Sequence, residues 1–155
     1  MDKNNNREVL EKEIDLIQSC INRMAQNSFM VKGWLITLIA VVLALLPETF
    51  NMKALCIIGL IITFCFWYLD SFFLRLEKLY RWKYEWVIKE RLKMDEFCYD
   101  LNPYNNKMWL GNKDGTKKEV PSIYGVMFTK TLLPLYLPII VAIILFFINT
   151  FVKWF

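Results

Sequence analysis

Three long apolar blocks govern what this chain can fold into. Residues 29–46 read FMVKGWLITLIAVVLALL and end at Pro47, residues 54–69 read ALCIIGLIITFCFWYL, and residues 132–152 contain Pro134 and Pro138. Crossing the hydrocarbon of a bilayer takes about 20 apolar residues, with about 17 tolerated. The third block meets that length outright. The first meets it once Lys32 extends its amine to the interface, and the second once Met52, Phe72 and Phe73 lengthen its ends. A soluble helical core needs a polar face, which the first two blocks lack over four turns. The expectation is an all-α membrane protein with three transmembrane helices.

The composition agrees: 56% of residues are hydrophobic and 22% charged, against roughly 45–50% apolar in soluble domains. No residue is histidine, which removes the commonest general base and metal ligand. Cys20, Cys56, Cys65 and Cys98 form no CxxC pair and read as small buried hydrophobes. A phosphate-binding glycine loop, a nucleophile elbow and metal-spaced ligands are all missing from the sequence. Neither an enzyme nor a cofactor or metal site is expected. The polar segment 1–7 carries no apolar core of a signal peptide, so the first block reads as a retained span.

Charge sets the expected topology. Lys and Arg number five in residues 1–32, one in 47–53, twelve in 70–130 and one beyond the last block. The positive-inside rule places the N-terminus and the 70–130 segment in the cytoplasm. The tight 47–53 turn and the tail at Lys153 then face outward. The net charge of +4 reflects this topology and anionic lipid, and no nucleic acid is expected. Trp34, Trp67 with Tyr68, Tyr136 and Trp154 are expected to form an interfacial aromatic belt.

Four segments follow: a cytoplasmic amphipathic helix over 1–28, a membrane hairpin over 29–71, a cytoplasmic helical extension and cap over 72–130, and a third span with a short outer tail over 131–155. In the first, Leu10, Ile14, Ile17, Ile21 and Met24 repeat at four, three, four and three residues. Such a stripe either lies against the chain's own cytoplasmic segment or serves as an oligomer or partner interface. It runs through Asn27 and Ser28 almost directly into the first span. Residues 70–95 lack Gly and Pro, so the second helix is expected to continue about forty residues, with Glu77 and Arg81 paired one turn apart. Residues 96–130 hold turn signals, and Trp109, Leu110 and the Asp114-Gly115 turn fit a small hairpin. Lys117 and Lys118 face headgroups or water.

Asp70 stands out because a lone carboxylate after sixteen apolar residues is costly at that depth. Its candidate partners are Lys32, Arg23 and Arg75, with Lys32 at the matching depth. The cluster of Ser28, Lys32, Asp70 and Arg75 either pins the hairpin or forms a gating element at the mouth of an oligomeric pore. Thr37 and Thr63 are the hydroxyls deep in the first two spans, too few for a highly polar pore.

Three stretches, INRMAQNSFMVKGW (21–34), FWYLDSFFLRLEKLYRWKY (66–84) and DLNPY (100–104), resemble small transmembrane effectors of bacterial anti-phage systems. They cover about a quarter of the chain. The resemblance implies an assembly that perturbs the inner membrane on activation. Two functions are expected from sequence, the first preferred and the second its alternative. One is a homo-oligomer, surrounded by membrane lipids, that forms or gates a pathway; three helices cannot hold a water-filled channel alone. The other is an anchor or scaffold that recruits a cytoplasmic protein partner through residues 8–27 and 72–95.

Overall fold

The computed structural model describes residues 3–44, 51–94, 96–112 and 115–152. The expected end of the first span at Pro47, most of the 47–53 turn, Asp114, Lys153 and Trp154 lie outside the described residues. Helix α1 runs Lys3–Ala44 and α2 Met52–Glu90, the latter continued by a 3-10 turn at Arg91–Lys93. A second 3-10 turn at Asn106–Met108, the short α3 at Ile123–Met127 and α4 at Leu133–Val152 complete the order. Three of these helices are long and apolar enough to cross a membrane. The chain is an all-α, multi-spanning membrane protein, as its three blocks require.

Local chemistry sets the helix ends. The Asn51 side chain accepts the Lys53 N–H at 3.1 Å, an N-cap for α2. In α4, Pro134 sits in the first turn, where a missing N–H costs nothing, whereas Pro138 lies inside the helix. The 20 residues of α4 span about 30 Å, the thickness of bilayer hydrocarbon. The chain divides into two compact units, one of Met1–Gln26 and Phe73–Ser122, the other of Asn27–Phe72 and Ile123–Phe155. We call them the polar and the apolar unit; α1 and α2 each contribute to both.

The polar unit has its own core. Ile17, Cys20 and Met24 of α1 are buried with Tyr80, Trp86 and Val87 of α2 and with Met108, while Leu10, Ile14 and Ile21 pack at its edge. The heptad stripe, one of whose expected roles was an oligomer or partner interface, is thus covered by the chain itself. Its most buried line keeps Ile17 and Met24 but takes Glu13 and Cys20 in place of their neighbours Ile14 and Ile21. This exchange brings Glu13 inside, where the guanidinium of Arg91 meets it through Nε and through Nη2, the second contact at 2.9 Å. Arg91 also donates to the carbonyls of Glu96 at 2.6 Å and Phe97 at 3.0 Å, and Glu13 accepts the Tyr99 N–H at 2.5 Å. The pair therefore fixes the 96–99 turn, where Phe97 and Tyr99 adopt positive φ of 59° and 57°. Each non-glycine residue held there costs on the order of 1–3 kcal/mol.

The DLNPYNNK stretch is a run of side-chain turns. Asp100 accepts the Asn102 N–H at 2.7 Å, Asn102 that of Tyr104 at 3.1 Å, and Asn105 that of Lys107 at 3.2 Å. Such i to i+2 bonds replace regular secondary structure with polar side chains. Asn112 and Thr116 bond to one another, and no strand forms among the described residues. Trp109 rests edge-on against Trp82 at 5.4 Å. Lys118 lies over the same Trp82 ring and pairs with Glu85 at 2.9 Å, so it is engaged within the unit. Glu77 and Arg81 form the expected one-turn pair at 2.6 Å.

In the apolar unit, the outward faces are carbon. Phe29, Trp34 and Leu43 of α1, Ile57 and Ile61 of α2, and Leu145 of α4 are all at least half exposed. Two expected belt aromatics do not join that surface: Trp67 is 3% exposed and Tyr136 0%. They stack on one another at 5.6 Å and 8°, while the Trp67 indole donates to the Met127 carbonyl at 3.1 Å. That bond groups α3 with the spans and not with the cap. Cysteines divide as well: Cys20 and Cys56 are buried, but Cys65 and Cys98 are exposed, contrary to the expectation for all four.

Two outcomes follow for the polar unit. Glu13→Gln or Arg91→Met leaves one buried charge without its partner, and thermal unfolding in mild detergent should show a loss of about 3–5 kcal/mol. Burial pushes the Asp100 carboxyl up, but the Asn105 amide, the Asn102 N–H and the Lys83 ammonium outweigh it and hold the group below its ordinary value. A carboxyl lowered in the folded state stabilises above its unfolded value, and that stabilisation is lost as pH falls through the folded one. An acid titration followed by near-ultraviolet circular dichroism should therefore lose its low-pH limb in part in Asp100→Asn.

Candidate functional site

Within the apolar unit, three polar side chains from two helices converge on one carboxylate of a third. Ser28 and Lys32 lie one turn apart on α1, Asp70 comes from α2, and Tyr136 from the first turn of α4. Ser28 Oγ donates to Asp70 Oδ1 at 2.5 Å. Lys32 Nζ lies 2.8 Å from Oδ1 and 2.7 Å from Oδ2, and also donates to Ser28 Oγ at 2.7 Å. The Tyr136 hydroxyl donates to Asp70 Oδ2 at 3.0 Å. Oδ1 thus accepts two hydrogen bonds and Oδ2 one, with the Lys32 ammonium within ion-pair distance of both oxygens.

Burial makes this saturation necessary. Asp70 is 0% exposed and Ser28 3%, whereas the Lys32 side chain keeps 24% exposure. An isolated charge in this setting costs several kcal/mol, and a pair becomes tolerable only when its remaining lone pairs are filled. Ser28 and Tyr136 fill them. Next to the cluster, Ser71 Oγ returns to the Trp67 carbonyl at 2.7 Å, and the Trp67–Tyr136 stack covers the apolar side. The deeper hydroxyls are likewise closed on their own helix: Thr37 donates to Gly33 O at 2.9 Å and Thr63 to Gly59 O at 2.8 Å.

Of the residues singled out in the sequence, the structure unites Asp70, Lys32 and Ser28. Arg75 belongs to the polar unit, where its guanidinium lies over the Tyr104 ring at 5.8 Å and its buried Nε has no hydrogen-bond partner. Arg23 also lies in that unit, against the Cys20 sulfur at 3.9 Å. Tyr136 completes the cluster, although its place in the third block suggested an interfacial aromatic. Its signal was spacing: it is one turn past Leu132 and on the buried line that continues to Ile140. The Glu13–Arg91 pair had a weaker signal, Glu13 standing one turn before Ile17.

The cluster is an electrostatic fastening of three helices. Among the described residues, no three His, Cys, Asp or Glu side chains gather in a way that would hold a metal ion. Comparison with family models, with curated proteins and with solved structures finds no match for this chain.

Asp70→Asn and Lys32→Met should each lower stability in detergent by about 3–5 kcal/mol, since each strands a buried polar group or charge. The double variant should recover a large share of that loss. A double-mutant cycle with no coupling between the two positions would contradict the pairing.

Proposed function

We propose that this chain is a membrane-anchored helical scaffold of the bacterial inner membrane, which presents its polar unit to a cytoplasmic protein partner. It acts by binding, without a catalytic step and without a cofactor. One observation carries the reading: Asp70, Lys32, Ser28, Tyr136, Thr37 and Thr63 all bond within one chain. Few polar groups on the spans are then left to line a water path between copies, and the outward faces carry side chains suited to lipid. The heptad stripe, which would have assembled copies, lies inside the polar unit's own core.

The polar unit offers a partner something to hold. Ile88 and Leu92, one turn apart, are exposed together with Met94 and Tyr99. Exposed apolar side chains such as these give a protein partner surface to bury. Fifteen of the nineteen Lys and Arg residues lie in this unit, which by the positive-inside rule orients it, and the N-terminus, to the cytoplasm and the C-terminus outward.

A second reading has its own support. A charge pair inside a span marks functional sites by default, and the likeness of residues 21–34, 66–84 and 100–104 to anti-phage membrane effectors points the same way. In that reading, several copies assemble and separation of Asp70 from Lys32 opens a pathway. The scaffold needs no such rearrangement and is preferred.

Expression of this chain alone in bacteria distinguishes the two. The scaffold leaves membrane potential intact and excludes an impermeant dye, and the purified protein is monomeric in mild detergent. Cys98 should then react with a water-soluble maleimide only in inverted membranes, while Cys65 should react only with a lipid-soluble one. Prompt depolarisation with a stable oligomer of the pure chain would overturn the scaffold in favour of the pathway.

A further inference from the structure

Helix α3 has one covered side and one open side. Val126 and Met127 are buried, whereas Tyr124 is 72% exposed and Phe128, one turn on, 66%. The covered side is held to α2. The Trp67 indole donates to the Met127 carbonyl at 3.1 Å, and the Phe128 ring meets the same indole edge-on at 5.3 Å. A hydrogen-bonded turn joins α3 directly to the third span. The Thr129 N–H and hydroxyl both donate to the Val126 carbonyl, at 3.1 and 2.7 Å, and the Thr129 carbonyl accepts the N–H groups of Leu132 and Leu133 at 3.1 and 3.0 Å. Leu132 is buried, and Leu133 opens α4.

The depth of α3 follows from what holds it. Trp67 lies in the second apolar block, two residues before its end at Leu69, about 3 Å along the helix axis. The same indole stacks on Tyr136 in the opening turns of α4. Helix α3 is therefore seated where the apolar runs of α2 and α4 end, and its open rings face the zone between hydrocarbon and water. Phe29, beside Ser28 on α1, and Tyr68, beside Trp67 on α2, are exposed near the same ends. Rings with an apolar body concentrate in that zone, and a tyrosine can keep its hydroxyl wet there. A second copy of the chain is a poorer occupant. At these exposures the two rings offer about 200–350 Å² between them, against about 800 Å² per partner in a stable interface. We propose that α3 is an interfacial anchor, which lays Tyr124 and Phe128 among the headgroups and upper acyl chains of the leaflet where α4 begins. Lys130, exposed two residues past Phe128, extends its amine to the lipid phosphates. The anchor rests on the membrane-spanning fold alone and serves scaffold and pathway equally.

The test places single thiols in the full chain after Cys65→Ser and Cys98→Ser have removed the exposed ones. Tyr124→Cys and Phe128→Cys are compared with Thr116→Cys in the polar unit and Leu145→Cys on the outward face of α4, both exposed positions. Each thiol carries a nitroxide in phosphatidylglycerol and phosphatidylcholine vesicles. Spin relaxation then reads its collisions with oxygen, which concentrates in hydrocarbon, and with a water-soluble nickel chelate. The oxygen-to-nickel ratio at 124 and 128 should stand several-fold above that at 116 and several-fold below that at 145. A ratio equal to that at 116 would put α3 in water, and one equal to that at 145 would put it in the hydrocarbon core; either overturns the anchor. Protection from both reagents would overturn it in favour of a contact between copies. Tyr124→Cys alone decides the matter should Phe128→Cys, which removes a contact with Trp67, fail to fold.

Discussion

The apolar unit depends on how one carboxylate is kept within a span. Asp70 has no access to water, so its charge must be met by protein groups, and three donors from α1 and α4 supply what hydration would have. Because the donors come from different helices, satisfying Asp70 also chooses which helices are neighbours and at what height. Apolar packing between spans is weakly directional, since lipid tails are as apolar as leucine. The polar cluster supplies the register that such packing lacks. Its partner Lys32 keeps some exposure, which lowers the cost of carrying a second charge into the same place.

A similar solution recurs in the polar unit with different geometry. Glu13 and Arg91 are both buried, and the planar guanidinium meets the carboxylate through Nε and Nη2, while Nη1 reaches the Glu96 carbonyl and Nη2 also that of Phe97. A lysine could meet the charge but not the fork of carbonyls. The bond network thereby holds Phe97 and Tyr99 in a conformation that side chains avoid, and frees the 100–107 stretch to be built from Asp and Asn turns.

Much of this fold was legible because membrane spans announce themselves by composition. The three helices follow from long apolar runs, and the length of α2 and the joining of the N-terminal helix to the first span from stretches without Gly or Pro. Asp70 and Lys32 were visible as ionisable groups where few are tolerated, and Ser28 as a polar residue at the same boundary. Tyr136 and Trp67 were misjudged because aromatic residues near a span's end fit both an interface and an interior, and composition cannot tell the two faces apart. Glu13 and Arg91 stayed hidden for another reason. Charged residues beside a heptad stripe normally face water, and an exchange of stripe residues for their neighbours becomes apparent only when the partner helix is known.

The cluster around Asp70 also has a history in time. Lys32 precedes Asp70 by 38 residues and Tyr136 follows it by 66. At a synthesis rate of about 5–20 residues per second, roughly 3–13 s separate the emergence of the carboxylate from that of the phenol that completes its shell. During that interval the first two helices sit in the insertion machinery with Asp70 short of one of its donors. The nascent hairpin must therefore wait, sheltered or tilted toward the headgroups, until the last span arrives to seat it. Biogenesis of this small protein is in that sense ordered from its final helix backward.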